Sequence, residues 1–146
     1  EVGLRYDSNR ILNPRGWEYI AQKFDTTVDW DPAVRPYPYR LTDRVIELPA
    51  VSEYAWTLSP DTIHRFIDLA NEDMDRVRAA EGVFVLVCHQ QRVGGADDLP
   101  RKVLHEIIET ARNVHAVEFI TLRALVARIE TGAQPVAPRP SGKERT

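Results

Sequence analysis

One short segment constrains the fold of this chain more than any other, the unbroken apolar run Val83–Cys88, which is rich in β-branched residues. Strands that are covered on both faces by helices have this composition, and such strands belong mostly to parallel sheets. The run is far shorter than the roughly 20 apolar residues that cross a bilayer, so no membrane span is predicted. We therefore expect a buried strand in a parallel α/β arrangement.

An amphipathic helix is predicted immediately before this strand. Ser59 is placed as its N-cap and Pro60 as its first helical residue, and Gly82 is placed to stop it. Apolar residues between them recur at spacings of three or four, which is the period of one helix face. The face consists of Ile63, Ile67, Ala70, Met74 and Val77.

Two more helices and one more strand are predicted after the apolar run. Asp98 is the expected cap of the second helix, residues 117–120 read as a short strand, and Thr121 is the expected cap of a third helix. Gly132 is placed to end that helix. The alternation of strands and helices favours a parallel sheet with right-handed crossovers. Half of a closed α/β barrel and a small open sheet both satisfy the pattern.

The chain divides into a folded part, residues 1–132, and a Pro-rich segment, residues 133–146, that is predicted to be a flexible tail. Weaker signals in the folded part predict strands at 4–8 and 45–48, a short helix at 17–24 and an aromatic, Pro-rich loop at 29–38.

Composition excludes several classes of function. The net charge is -3, with 19 Lys and Arg against 22 Asp and Glu, and no basic stripe is present, so nucleic-acid binding is not expected. One cysteine cannot form an internal disulfide or a cysteine zinc cluster. These features do not distinguish a cytoplasmic from a secreted protein.

His89 is the first candidate site residue, because it follows the apolar strand and precedes a glycine-containing loop. Active sites of α/β barrels are built at the carboxyl ends of strands, where a histidine can exchange a proton near neutral pH. A histidine that only hydrogen-bonds the backbone is the alternative. Asp7 ends the first strand-like segment and could face the same rim, although a local turn with Ser8 also accounts for it.

Two aromatic residues, Tyr54 and Trp56, could line a groove and stack on a sugar ring, and simple packing is the alternative for both. The other histidines, His64, His105 and His115, are expected on the solvated surface. No His-x-x-x-His pair or other converging ligand set announces a metal site.

Three stretches together resemble one family. Gly3–Asn9 is similar to the G-F-x-Y-D-S-S segment of polysaccharide deacetylases, and Tyr39–Pro49 is similar to their P-Y … G-L-x-E-L-P passage. Gly82–His89, a helix and then Val117–Leu122 resemble their closing strand, His, helix and V-x-F-x-T-L arrangement. The resemblance covers about residues 3–130 and implies the C-terminal half of a distorted (β/α) barrel, incomplete in this chain.

The resemblance implies a metal-dependent hydrolase that removes N- or O-acetyl groups from a carbohydrate. It makes His89 the general acid that protonates the leaving amine, Asp7 a support for the catalytic aspartate, and Leu86 and Val87 the border of the acyl pocket. A divalent metal such as zinc is implied for the intact domain, held by a first half of the barrel that this chain lacks. The chain alone is therefore expected to hold no metal and to be inactive.

Other classes of function stay open. A relative without metal ligands would be an inactive carbohydrate-binding or scaffold domain, and a small standalone interaction module is a third possibility. The expected partners are a carbohydrate or a small acetylated or amide substrate, and either the missing N-terminal half or a second copy of the chain.

Overall fold

A computed structural model gives the fold of residues 5–8, 10–12, 36–56 and 58–137. Within these residues the chain forms five short strands and four helices. In chain order they are β1 (Tyr6–Asp7), β2 (Tyr39–Arg40), β3 (Ile46–Glu47), β4 (Ser52–Glu53), α1 (Ile63–Ala79), β5 (Leu86–Val87), α2 (Gln90–Val93), α3 (Leu99–Asn113) and α4 (Leu122–Glu130).

The strands form two small sheets. In the first, β3 lies between β1, which is parallel to it, and β2, which is antiparallel to it. In the second, β4 and β5 are parallel. The segment that joins β3 to β4 continues the pairing, because the Ala50 amide donates to the Arg10 carbonyl at 2.8 Å and the Val51 amide donates to the Val85 carbonyl at 2.8 Å. Residues 46–53 are therefore the backbone that links the two sheets.

The long helices α1 and α3 pack against each other and cover one side of β4 and β5. Their apolar faces and one tyrosine form a buried cluster, and burial of each large side chain stabilises the fold by roughly 1.5–3 kcal/mol. The cluster contains Tyr54, Phe66, Leu69, Ala70, Met74, Val103, Ile107 and Ala111. Phe84 and Leu86 pack against it from the predicted apolar strand.

The start of α1 differs from the prediction by a few residues. The helix begins at Ile63 rather than at Pro60, because the Thr62 amide donates to the Ser59 carbonyl at 3.0 Å and the Ser59 amide donates to the Thr62 hydroxyl at 2.9 Å. These bonds close a turn ahead of the helix. At the other end, Glu81 and not Gly82 adopts the positive φ, of 53°.

Gly82 is instead needed for a close approach. A Cβ atom at this position would lie 2.6 Å from the carbonyl oxygen of Pro36. The Val83 amide donates to the same oxygen at 2.8 Å, so the two segments cannot move apart without losing that bond.

Asp98 and Thr121 are the N-cap residues of the last two helices, as predicted, but only the Thr121 side chain makes a capping bond. Thr121 caps α4, since its hydroxyl accepts a bond from the Ala124 amide at 3.1 Å, and Gly132 follows that helix with a φ of 76°. Asp98 makes no such bond to α3. The Asp97 carboxylate accepts from the Leu99 amide at 3.0 Å in its place.

The predicted strand at 117–120 is wrong. These residues form no strand, and Val117, Phe119 and Ile120 are 38%, 55% and 36% exposed. Glu118 ties this segment to α4, because its carboxylate accepts hydrogen bonds from both terminal nitrogens of Arg128, at 2.8 and 2.5 Å. The apolar pattern of these residues suits a strand, but a strand also needs a neighbour to pair with, and the pattern does not predict one.

The described part of the chain is a mixed α/β fold with two small sheets, and it does not close into a barrel. A half barrel is not confirmed. The predicted helix at 17–24 lies outside the described residues, as do most of the loop at 29–38 and residues 138–146 of the tail. Ala137, from the predicted tail, bridges to Tyr39 of β2. None of the described helices has both the length and the apolar composition that a membrane crossing requires.

Candidate functional site

The candidate site is built around a carboxylate and a histidine on neighbouring parallel strands. Glu53 of β4 is opposite Val87 of β5, and His89 follows Val87 by two residues. Side chains two apart in extended backbone lie on the same side, so this register brings Glu53 and His89 together. The Glu53 Oε2 atom lies 2.5 Å from the His89 Nδ1 atom.

The same alternation sends the next residue to the opposite side. Tyr54 is 1% exposed, and its hydroxyl donates to the Asp73 Oδ2 atom of α1 at 2.9 Å. Asp73 is itself fully buried. One short strand therefore presents Tyr54 to the helical layer and Glu53 to the candidate site.

The two partners of the site differ in their access to solvent. The Glu53 side chain is 0% exposed, whereas the His89 side chain is 35% exposed. Burial raises the pKa of the Glu53 carboxyl above its ordinary value of 4.5, because desolvation disfavours the charged form. The charge of His89, its hydrogen bond and the charge of Arg92 act in the opposite direction. The result is a buried acid paired with an accessible base.

Residues on either side of this pair restrict the imidazole. The Trp56 ring meets the His89 ring edge-on, with centroids 4.6 Å apart and planes at 66°. His89 precedes α2, and its carbonyl oxygen accepts from the amides of Arg92 and Val93 at 3.0 Å each. Gly94 closes this turn, where a Cβ atom would lie 2.9 Å from the Gln90 carbonyl oxygen. Both the ring and the backbone of His89 are thus held in place.

Arg92 completes the charged surroundings. One terminal nitrogen of its guanidinium lies 3.7 Å from the Asp97 Oδ2 atom. Its Nε atom is buried and has no hydrogen-bond partner among the described residues, and the same holds for the Glu53 Oε1 atom. Buried polar atoms without a hydrogen-bond partner are uncommon in folded proteins, and two of them lie beside the Glu53–His89 pair.

The structure brings together part of the predicted site. His89 and Val87 lie beside Glu53, and Trp56 packs against the His89 ring. Leu86 and Tyr54 instead belong to the side that packs against α1 and α3, so Tyr54 is a core residue and not the lining of an open groove.

Asp7 lies in a different sheet. It belongs to β1, which pairs with β3, and its carboxylate accepts a bond from the Ser8 amide at 2.9 Å. The bond is local, in keeping with the alternative of a turn with Ser8 and Asn9, but Asn9 lies outside the described residues.

Two residues with notable placement escaped prediction. Glu53 is an acidic residue within a mostly apolar stretch that follows a strand, and only the register of β4 against β5 shows its partner. His115 was expected on the surface, but its side chain is 6% exposed, with Nδ1 3.4 Å from the Asp75 Oδ1 atom. The charged neighbours of His115 in sequence did not reveal that it is buried after the end of α3.

The described part of the chain contains no group of three or more His, Cys, Asp or Glu side chains that could hold a metal ion. Cys88 is exposed and directly precedes His89, whose backbone is extended. Consecutive side chains in extended backbone project to opposite sides, which separates the thiol from the imidazole.

Comparison with known proteins gives one distant relative. No family model matches the chain, and no solved structure matches it. The human protein named ubiquitin carboxyl-terminal hydrolase 35 is 28% identical over 102 residues, which cover 66% of this chain and 10% of that protein. The chain thus spans about a tenth of the length of the curated relative that it matches.

This comparison contradicts the predicted function. The matched protein is named for ubiquitin and not for a carbohydrate, so the prediction of a metal-dependent carbohydrate deacetylase is wrong, and the inactive carbohydrate-binding alternative falls with it. The Glu53–His89 pair, which the register of β4 against β5 brings together, does not depend on that prediction.

Proposed function

We propose that this chain contributes the acid–base residues of a hydrolase, with His89 as the group that transfers protons and Glu53 as the carboxylate that holds it. The observation that carries the proposal is the 2.5 Å contact between a fully buried carboxylate and a histidine whose side chain is 35% exposed. A carboxylate and a histidine in this arrangement are a recurrent device for moving protons in hydrolysis.

The direction of the hydrogen bond defines the chemistry. Glu53 Oε2 accepts the Nδ1 proton of His89, which fixes the tautomer of the ring and leaves Nε2 as the basic nitrogen. During hydrolysis Nε2 takes a proton from the attacking water as the O–C bond forms. It then returns that proton to the leaving group as the scissile bond breaks, so the imidazole is restored at the end of each cycle.

A second candidate function comes from the name of the human relative. Cleavage at the carboxyl terminus of ubiquitin by a thiol would require Cys88 as nucleophile and a histidine to take its proton. The extended backbone at His89 argues against that pairing, whereas the dyad proposed above needs no thiol. The thiol mechanism therefore requires Cys88, whereas the Glu53–His89 dyad does not.

The resemblance to polysaccharide deacetylases is retained only as a proposal about fold. Three observations support it: β1 runs parallel to β3, β4 runs parallel to β5, and α1 connects β4 to β5. Such a connection is the repeating unit of barrels and of open parallel sheets. No substrate follows from this relation.

Hydrolysis by the full-length protein tests the proposal. The substrates would be p-nitrophenyl butyrate, a p-nitroanilide and a fluorogenic amide of the ubiquitin carboxyl terminus. We expect H89A to lower kcat on the substrate that is turned over by about a hundredfold or more, and E53Q to lower it less, because Glu53 acts through the imidazole. C88A should retain the wild-type rate.

Glu106→Gln is the matched control for E53Q, since Glu106 is an exposed acid on α3. Loss of activity in C88A together with an unchanged rate in H89A would replace the dyad with the thiol mechanism. Equal rates in the wild-type protein, H89A and E53Q would refute the proposal for the substrate concerned.

A further inference from the structure

Arg92 is the charged residue next to the dyad that the proposed function leaves without a role. It lies in α2, the short helix that begins directly after His89, and its amide donates to the His89 carbonyl at 3.0 Å. Its side chain is 33% exposed, so two thirds of it is enclosed by the protein. The part that is buried includes Nε, the guanidinium nitrogen nearest the backbone.

Three groups of alternating charge, Asp97, Arg92 and Glu53, lead from the surface to the imidazole of His89. Asp97, which is 43% exposed, lies 3.7 Å from a terminal nitrogen of Arg92. The charge of Arg92 acts on Glu53, and Glu53 is bonded to His89. Asp97 thus anchors the outer end of the guanidinium, while the inner end is turned into the protein.

The need for such a cation follows from the burial of Glu53. A carboxylate with no exposed surface is disfavoured in its charged form, and the hydrogen bond to His89 engages only one of its two oxygens. The second oxygen, Oε1, has no hydrogen-bond partner among the described residues. A fixed positive charge nearby offsets part of this penalty even when no direct bond is formed.

We propose that Arg92, anchored by Asp97, is a positioning residue that keeps Glu53 ionised and so keeps His89 in its productive tautomer. The proposal rests on the acid–base function proposed above and adds a regulator of its carboxylate. His89, after the end of β5, and Arg92, on α2, both lower the pKa of the Glu53 carboxyl, against the larger effect of burial, which raises it. Removing the charge of Arg92 should therefore raise the pKa of the Glu53 carboxyl.

The test measures the pKa of Glu53 by carbon NMR of its side-chain carboxyl in the full chain. R92Q should raise that pKa by about one unit, since a single charge near a partly enclosed carboxylate has an effect of this order. R92K restores the charge and should return the value to within about a third of a unit of the wild type. D97N should produce a smaller rise in the same direction.

Arg101→Gln is the matched control, because Arg101 also pairs with an aspartate, Asp98, but on the exposed surface of α3. Circular dichroism of each variant reports whether the fold is retained. The pH profile of hydrolysis, measured on any substrate that the wild type turns over, should move upward on its acidic side in R92Q and not in R101Q.

An unchanged Glu53 pKa in folded R92Q, or a value in R92K that equals that in R92Q, would overturn the role of Arg92. If R92Q does not fold, R92K and D97N supply the same comparison. A raised carboxyl pKa in R92Q together with full hydrolysis in H89A would leave the role of Arg92 intact and refute the dyad, so the two failures are distinguishable.

Discussion

The Glu53–His89 contact can be tested most directly by removing the imidazole and measuring the change in the free energy of unfolding. In H89A the Glu53 carboxylate stays in a position with no exposed surface but loses the partner 2.5 Å from its Oε2 atom. Breaking a fully buried ion pair by removing one partner costs about 3–5 kcal/mol. His89 is 35% exposed, and the charge of Arg92 remains, so we expect a smaller loss, of about 1–3 kcal/mol near neutral pH.

The pH dependence of this loss has a definite sign. Burial already raises the folded pKa of Glu53 above its ordinary value of 4.5, and the loss of His89 removes two effects that lower the pKa. A carboxyl with a raised folded pKa contributes its full stability below its unfolded pKa and loses it as the pH rises through the folded value. The difference in the free energy of unfolding between wild type and H89A should therefore be small near pH 4 and should increase toward neutral pH.

Urea unfolding of the wild type, H89A, E53Q and the double variant between about pH 4 and about pH 7 measures both effects. In the E53Q background no buried carboxylate remains to lose its partner, so H89A should then cost at least about 1 kcal/mol less than in the wild type. Equal costs of H89A in the two backgrounds, or a gap that narrows as the pH rises, would refute the account of a buried acid held by His89.

Three further substitutions test the surroundings of the site by urea unfolding. Tyr54→Phe removes the hydroxyl that donates to the buried Asp73 carboxylate and should cost about 1.5–3 kcal/mol, and a loss below about 0.5 kcal/mol would contradict the bond. Gly82→Ala places a Cβ atom against Pro36 and should cost about 1–3 kcal/mol, and an unchanged midpoint would show that the contact is loose. Thr121→Ala should cost about 1 kcal/mol, Thr121→Ser much less, and equal losses would show that the hydroxyl does not cap α4.

Local chemistry predicted the helical half of the fold. The spacing of apolar residues in α1 is visible in sequence: Ala70 and Met74 belong to the buried cluster, and Ile63 and Ile67 pack against it. Val77 is buried in a neighbouring cluster with Leu12 and Val51, and Phe66 and Leu69 were missed. Thr121 and Gly132 were recognised because a cap depends on residues within one turn. Asp97 and Asp98 are adjacent acids before α3, and sequence alone could not decide which of them would accept the Leu99 amide.

Contacts between distant segments explain what was missed. Glu53 and His89 are 36 residues apart, and they meet only because Ser52 is opposite Leu86 in the β4–β5 register. A shift of that register by one residue would turn Glu53 toward the helices. The prediction of a strand at 117–120 was wrong for the converse reason: the apolar pattern suits a strand, but these residues pair with no strand in the described part of the chain.

The strand that carries Glu53 couples the core of the protein to the candidate site. Tyr54 fixes the backbone from one side through its bond to Asp73, and Glu53 bonds His89 from the other. Because β4 pairs with β5 at Ser52 and Glu53 and through one further backbone bond from Val51 to Val85, these side-chain bonds contribute to its position. Tyr54→Phe should therefore change the NMR signals of the His89 ring without touching that residue, whereas Thr121→Ala, which weakens α4, should leave them unchanged. Equal effects of the two substitutions on those signals would show that the site responds to overall stability and not to the position of β4.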